Sequence, residues 1–168
     1  MASSLKNLSA HNSEQVPNCA GKKFGIVVSE YHDDITNALL QGAVETLQQN
    51  GVADEDIFID YVPGAYEMPL GAVRVYKEHH LDGVICLGCV IKGETDHDIY
   101  INHSVANALM GLSVKTSKPF IFGLLTPNTH QQALDRAGGK HGNKGVECAV
   151  AALKMAADKP NSRKKIGF

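Results

Sequence analysis

No apolar run in this chain approaches the roughly 20 residues a helix needs to cross a bilayer, and the opening MASSLKNLSAHNSEQVPN lacks the apolar core of a signal peptide. The expectation is a protein without a membrane partner, carrying a polar, disordered N-terminal tail over residues 1–21. Excess charge of one sign is missing too. Sixteen Lys and Arg stand against 18 Asp and Glu, interleaved through most of the chain, for a formal net charge of -2. No long-range field then favours nucleic acid, and any bound phosphate has to be held by local groups. Cysteine is sparse: Cys19, Cys86, Cys89 and Cys148 are too few and too scattered for a disulfide framework, and a reducing cytoplasm suits them best.

What is present suffices for one core. Hydrophobic residues make up 43% of the 168 positions, which predicts a single domain over residues 22–159 and a short polar tail at 160–168. Four short runs rich in β-branched and aromatic residues read as strands: KKFGIVV, IFIDYV, GVICLGCV and PFIFGLLT. Their apolar stretches are continuous rather than alternating, which predicts burial on both faces of a parallel sheet.

Helical spacing fills the gaps. Ile35, Ala38, Leu39, Gly42, Ala43 and Leu47 share one face of a helix that stops at Gly51. Further helices are expected after Tyr66, after Thr95, and in NTHQQALDRAG and NKGVECAVAALKMAADK, the last two joined through GGKHGNKG. The order β-α-β-α-β-α-β-α-α predicts an α/β fold, a three-layer α/β/α sandwich around a four-stranded parallel sheet. Ligands of such sheets bind beyond the carboxyl ends of the strands, here the loops SEYHDD, VPGAYE, VIKGETDH and LLTPNT.

Within GETDHDIY, Thr95 and Asp98 have the spacing of a capping box, so Thr95 is expected to cap the third helix. The backbone N–H groups near Gly93, Glu94 and Thr95 would then face an anion at a helix N-terminus. His97 suits proton transfer near neutral pH, with a capping or surface role equally open, and its acidic neighbours favour the protonated ring. VPGAYE is a tight turn that brings Tyr66 and Glu67 to the same edge, Glu67 either to bind hydroxyls or to serve as a first-turn helix acid. Tyr31 is a stacking platform or a core residue. Arg136 is an anion partner or a solvated surface charge.

Other patterns carry less. Cys86 and Cys89 have C-x-x-C spacing, but inside a strand residues three apart point to opposite faces, so core packing is expected over a zinc or redox site. GGKHGNKG lacks Walker A spacing and follows a helix, so it is read as a junction between helices. His79-His80 ends a helix, where positive charge is favourable.

Five segments, GAYEMPL, IKGETDHDIYI, IFGLLT, QALDRAG and GNKGVECA, in this order and at this spacing, resemble the 6,7-dimethyl-8-ribityllumazine synthase family over about Phe24 to Asp158. The resemblance implies a flavodoxin-like sandwich that condenses 5-amino-6-ribitylamino-uracil with 3,4-dihydroxy-2-butanone 4-phosphate, with no metal or organic cofactor. It places the catalytic histidine on His97, the phosphate-binding arginine on Arg136 and the phosphate-binding backbone on Glu94 and Thr95. It puts the stacking aromatic on Tyr31 and the ribityl-pyrimidine turn on Gly64, Ala65, Tyr66 and Glu67, with the substrate edge running on through Val90, Ile91 and Lys92. Sites in this family form between neighbouring subunits of a homo-pentamer, the aromatic matching Phe122 reaching across, with Lys144 and Glu147 at matching polar positions. Some members build a 60-mer shell from twelve pentamers, and association with riboflavin synthase is implied as well.

The chain also departs from the family. Asp98 and Ile99 follow the histidine where an aromatic and then an acid are common, and Glu30 and His32 flank Tyr31 in place of a basic residue and an amide. A module of the same fold that retains a flavin or lumazine without turnover is the rival class. An electron carrier is weaker, because SEYHDDIT lacks a hydroxyl- and glycine-rich phosphate cradle.

Overall fold

A computed structural model describes residues 7–157. The stretch expected as a C-terminal tail, 160–168, lies outside the described residues. Four parallel strands, β1 (Phe24–Ser29), β2 (Ile57–Val62), β3 (Gly83–Cys89) and β4 (Phe120–Leu125), form one sheet in the order β2-β1-β3-β4. Five helices cover it: α1 (Asp33–Gln49), α2 (Met68–His79), α3 (His97–Thr116), α4 (His130–Arg136) and α5 (Lys144–Ala156). This is the α/β sandwich that the element order predicts.

Burial divides the strands. Every residue of β1 and β3 is buried, as continuous apolar runs require of inner strands covered on both faces. The two edges differ: β2 leaves Ile59 and Tyr61 exposed, and β4 leaves Phe122 partly so. Ile26, Val28, Ile85 and Leu87 pack under α1 and α5, whereas Val27, Val84 and Cys86 pack under α2 and α3. Cys89 belongs to the first layer and Cys86 to the second, so the C-x-x-C pair is split across the sheet.

The helices form where their apolar spacing directs. In α1, Ile35, Leu39, Ala43 and Leu47 recur every four residues and are fully buried. The helix ends at Asn50 and the chain turns at Gly51, whose φ of 89° is costly for any residue with a Cβ. Its partner α5 lies so close that a Cβ on Gly145 would collide with the Leu39 carbonyl. Asn143 fixes that contact twice, accepting from the Gly145 N–H at 2.8 Å as N-cap and donating its amide to the Ala38 carbonyl at 2.8 Å.

Three local expectations are revised. Thr95 does not cap α3: the helix starts at His97, one residue later than the capping-box spacing implies, so the N-cap is Asp96, which makes no side-chain cap hydrogen bond. GGKHGNKG is more than a junction, since Ala137–Gly139 (β5) pairs antiparallel with Gly142–Asn143 (β6) in a small hairpin. The described part of the expected N-terminal tail is laid against the domain. Its composition is polar, but Val16 and Cys19 enter the α1/α5 core and the Leu8 N–H donates to the His141 carbonyl at 3.0 Å.

Opposite the functional edge, Asp82 ties the starts of three strands together. Its carboxylate accepts from the Lys23 N–H at 3.1 Å and from the Lys118 ammonium at 3.0 Å. Burial works to raise its pKa, but these hydrogen bonds, with the Lys118 and Lys22 charges, outweigh it and hold the group below its usual value. A depressed carboxylate adds stability above its unfolded-state pKa and loses it as pH falls through the folded value. Asp82→Asn is therefore expected to lower stability near pH 7 by about 1 kcal/mol, with the difference from the parent vanishing by about pH 3 in urea titrations. A second check concerns the thiols: burial pushes Cys89 up to about 11, Cys148 up to about 12 and Cys86 further still. None of these three should react with Ellman's reagent at pH 8 until the protein is unfolded, and rapid reaction of a Cys86/Cys89 pair would restore the redox reading.

Candidate active site

The carboxyl ends of the strands open into a cavity of about 550 Å³. The β1 loop gives it Tyr31 and His32, the β2 loop gives Pro63 to Glu67, the β3 end gives Val90 and Ile91, and α3 gives His97 and Ile101. Local folding explains each placement. His32 sits in the left-handed region at φ 59°, turning the chain sharply into α1, and its carbonyl accepts from the Ile35 and Thr36 N–H groups. That turn leaves the Tyr31 ring 69% exposed over the loop opposite.

Gly64 faces the ring. A Cβ there would stand 3.3 Å from the Tyr31 ring carbons and 3.1 Å from a Glu67 carboxylate oxygen, so the missing side chain is what lets both converge on the turn. Beyond Gly64, Ala65–Glu67 forms one 3-10 turn that runs straight into α2. Glu67 thus stands at the entrance of α2 as its N-cap residue, without a side-chain cap hydrogen bond, and lines the cavity.

At the β3 end, ladder bonds continue past the strand. The Val90 N–H donates to the Leu125 carbonyl at 2.9 Å and the Lys92 N–H to the Pro127 carbonyl at 3.0 Å. Lys92, Glu94 and Thr95 then stand exposed outside the cavity, and Gly93 has open space where a Cβ would be. His97 is the first residue of α3 and lines the cavity, starting the helix and facing the ligand space at once. Asp98 turns the other way: its Oδ1 is buried without a partner, as is Asn102 Oδ1 one turn on.

The remaining candidates gather elsewhere on the chain. Arg136 and Lys144 line a second cavity of about 260 Å³ with Thr126, Pro127 and Gln132. Glu147 bridges the two cations, taking Arg136 Nη2 at 2.7 Å and Lys144 Nζ at 3.2 Å, while Arg136 Nη1 donates to the His141 carbonyl at 3.0 Å. Arg136 is therefore not the solvated surface charge that was its alternative. Phe122, 37% exposed on the β4 edge, lines a third, apolar groove of about 610 Å³ with Met110, Val114 and Met155.

One chain thus brings Tyr31, Gly64, Ala65, Tyr66, Glu67, Val90, Ile91 and His97 together and keeps Phe122, Arg136 and Lys144 apart from them. Sequence reading missed Ile101, within α3, and Cys89, at the end of β3, as lining residues, and neither carries a signal beyond its apolar position in its element. It also missed His130, whose Nε2 lies 2.8 Å from Asp34 and links α4 to α1. Among the described residues no group of three His, Cys, Asp or Glu side chains is arranged to hold a metal, and no helix is long and apolar enough to cross a membrane.

Comparison with known proteins adds a second line. A family model described as 6,7-dimethyl-8-ribityllumazine synthase matches residues 21–159. A protein of Cytophaga hutchinsonii bearing that name is 48% identical over 157 residues, covering 94% of this chain and 98% of its own. One from Phocaeicola vulgatus is 44% identical over 155 residues, 92% of each chain, and one from Bacteroides fragilis is 49% identical over 133 residues, 79% of this chain and 93% of its own. Both carry the same name.

Proposed function

Because the chain belongs to the 6,7-dimethyl-8-ribityllumazine synthase family and is an enzyme of riboflavin biosynthesis, we propose a division of labour among the groups just described for the condensation of 5-amino-6-ribitylamino-uracil with 3,4-dihydroxy-2-butanone 4-phosphate. The pyrimidine stacks on Tyr31 and is held by Glu67 and the backbone of Gly64, Ala65 and Tyr66, with Val90, Ile91 and Lys92 forming the floor and rim. Its amine attacks the ketone, and loss of water gives an imine. Phosphate is then eliminated to leave an enol that tautomerises to a new ketone, and the second amine, the ribitylamino nitrogen, closes on that carbon with loss of a second water. His97 moves the protons between these steps. Arg136, Lys144 and the backbone at Glu94 and Thr95 hold the departing phosphate. The amine is already a capable nucleophile, so much of the acceleration comes from holding two substrates together.

The observation that carries the assembly is a mismatch of charge. No Lys or Arg lines the cavity that holds Tyr31 and His97, whereas Arg136 and Lys144 sit in a separate cavity of the same chain. A phosphorylated substrate needs both at once, and a neighbouring copy supplies the missing half. Ring closure by such a head-to-tail contact gives a cyclic oligomer, here the homo-pentamer, with Phe122 of one copy completing the pyrimidine cavity of the next. The surface of α3 supports it: only Val105 and Leu109 of its 20 residues are buried, while Ile99, Tyr100, Met110 and Val114 are exposed. The shell of twelve pentamers, association with riboflavin synthase and a cytoplasmic location extend the same proposal, and the absence of a disulfide among the four buried cysteines supports the last.

Lumazine fluorescence, corrected for the uncatalysed condensation, tests the assignment. Arg136→Ala is expected to lower kcat/KM for the butanone phosphate by about 10- to 100-fold, the loss of a charge-assisted pair. His97→Ala lowers kcat by about tenfold, less than a general acid–base group usually contributes, because positioning survives. Oligomers reassembled from equal amounts of the two impaired chains should exceed the activity of either variant alone, since some sites receive both wild-type halves. Light scattering reads the assembly directly: chains of 18.0 kDa give about 90 kDa as a pentamer. A monomer turning over at full rate would end the shared-site reading.

A further inference from the structure

The hairpin that separates Arg136 from Lys144 is held from outside by the amino-terminal segment. The Leu8 N–H donates to the His141 carbonyl at 3.0 Å, the same oxygen that accepts from Arg136 Nη1 at 3.0 Å. Two residues on, the Asn143 N–H donates to Ser9 Oγ at 3.1 Å. The hydroxyl's proton is committed elsewhere, to Asn7 Oδ1 at 2.7 Å, so its lone pairs are turned toward Asn143. Asn143 is in turn the N-cap of α5, which begins at Lys144. Gly142, at φ 84°, leaves the space this contact needs, since a Cβ there would strike the side chains of Asn7 and Ser9. The segment is itself anchored further along by buried Val16 and by Cys19, whose N–H donates to the Asn50 carbonyl at 2.8 Å.

From these contacts we infer that residues 7–9 act as a strap that positions Arg136 and Lys144, so that the amino terminus of this chain sets its hold on the phosphorylated substrate. The inference rests on the phosphate-binding role proposed above. Both cations hang on the strapped hairpin: Arg136 through the His141 carbonyl, Lys144 through the Asn143 cap. With the strap removed, the Asn143 N–H loses its acceptor and the His141 carbonyl loses one of its two donors, which leaves the hairpin held by the His141 N–H on the Asp135 carbonyl and the Asn143 amide on the Ala38 carbonyl. Arg136 then pairs with Glu147 and with a His141 carbonyl that is less firmly held, and each phosphate that binds has to reorder the pair. Leu8 and Ser9 do not line either cavity, so they are positioning residues rather than binding ones.

The test is steady-state kinetics with each substrate varied in turn, on the full chain, on Ser9→Ala, on Ser9→Thr and on a chain lacking residues 1–9. For Ser9→Ala the KM for the butanone phosphate is expected to rise about three- to tenfold, the range one lost hydrogen bond allows, and the inhibition constant of inorganic phosphate to rise in parallel. The KM for the pyrimidine and kcat stay within about twofold of the parent, because the Tyr31 cavity lies elsewhere. Ser9→Thr, which keeps the hydroxyl, restores the parent values, and the truncation exceeds Ser9→Ala. Should the truncated chain not fold, Ser9→Ala alone decides. A lowered melting temperature with both KM values unchanged, or rising together, overturns the strap and leaves the synthase reading in place. Absence of turnover in the parent chain overturns that reading, and the strap with it.

Discussion

Two adjacent parallel strands, Phe24–Ser29 and Gly83–Cys89, are buried at every residue, and that burial dictates where chemistry can occur. A strand covered on both faces has no room for a solvated polar side chain along its length. Polar function is pushed to the strand ends, and parallel direction puts all four carboxyl ends on one side. The loops bearing Tyr31, Glu67 and His97 therefore share an edge because the core forces them there. Asp82 marks the opposite edge, where the polar contacts serve stability alone.

The same constraint made the inner sheet easy to read. Continuous apolar runs with β-branched residues are an unambiguous signature when helices of 3.6-residue period separate them. Edge strands were less legible: Ile59 and Tyr61 read as buried strand residues, and nothing in IFIDYV announces which face lacks a cover. The cap of α3 failed for a different reason. Thr95 has the right neighbour at the right spacing, but helix starts are set by where the chain leaves the sheet as much as by the cap residue, and this helix starts one residue later. In the described part of the N-terminal segment composition misleads, because two small apolar residues, Val16 and Cys19, and a few directed hydrogen bonds suffice to dock a polar stretch.

For the site, residue identity was legible and neighbourhood was not. Sequence order places His97 and Arg136 on the same sheet edge, and only the fold separates them into two cavities of one chain. No local pattern in the sequence encodes that separation, since it depends on strand order and on the turn of the hairpin between Ala137 and Asn143.

Glu147 holds Arg136 and Lys144 with both of its oxygens. To an arriving dianion these two cations are already partly neutralised, and the carboxylate between them repels it. Glu147 is in this sense a resident counter-anion, built into α5 rather than drawn from solution. It keeps the cations ordered while the cavity is empty, so any anion that takes both has to displace a carboxylate already in place.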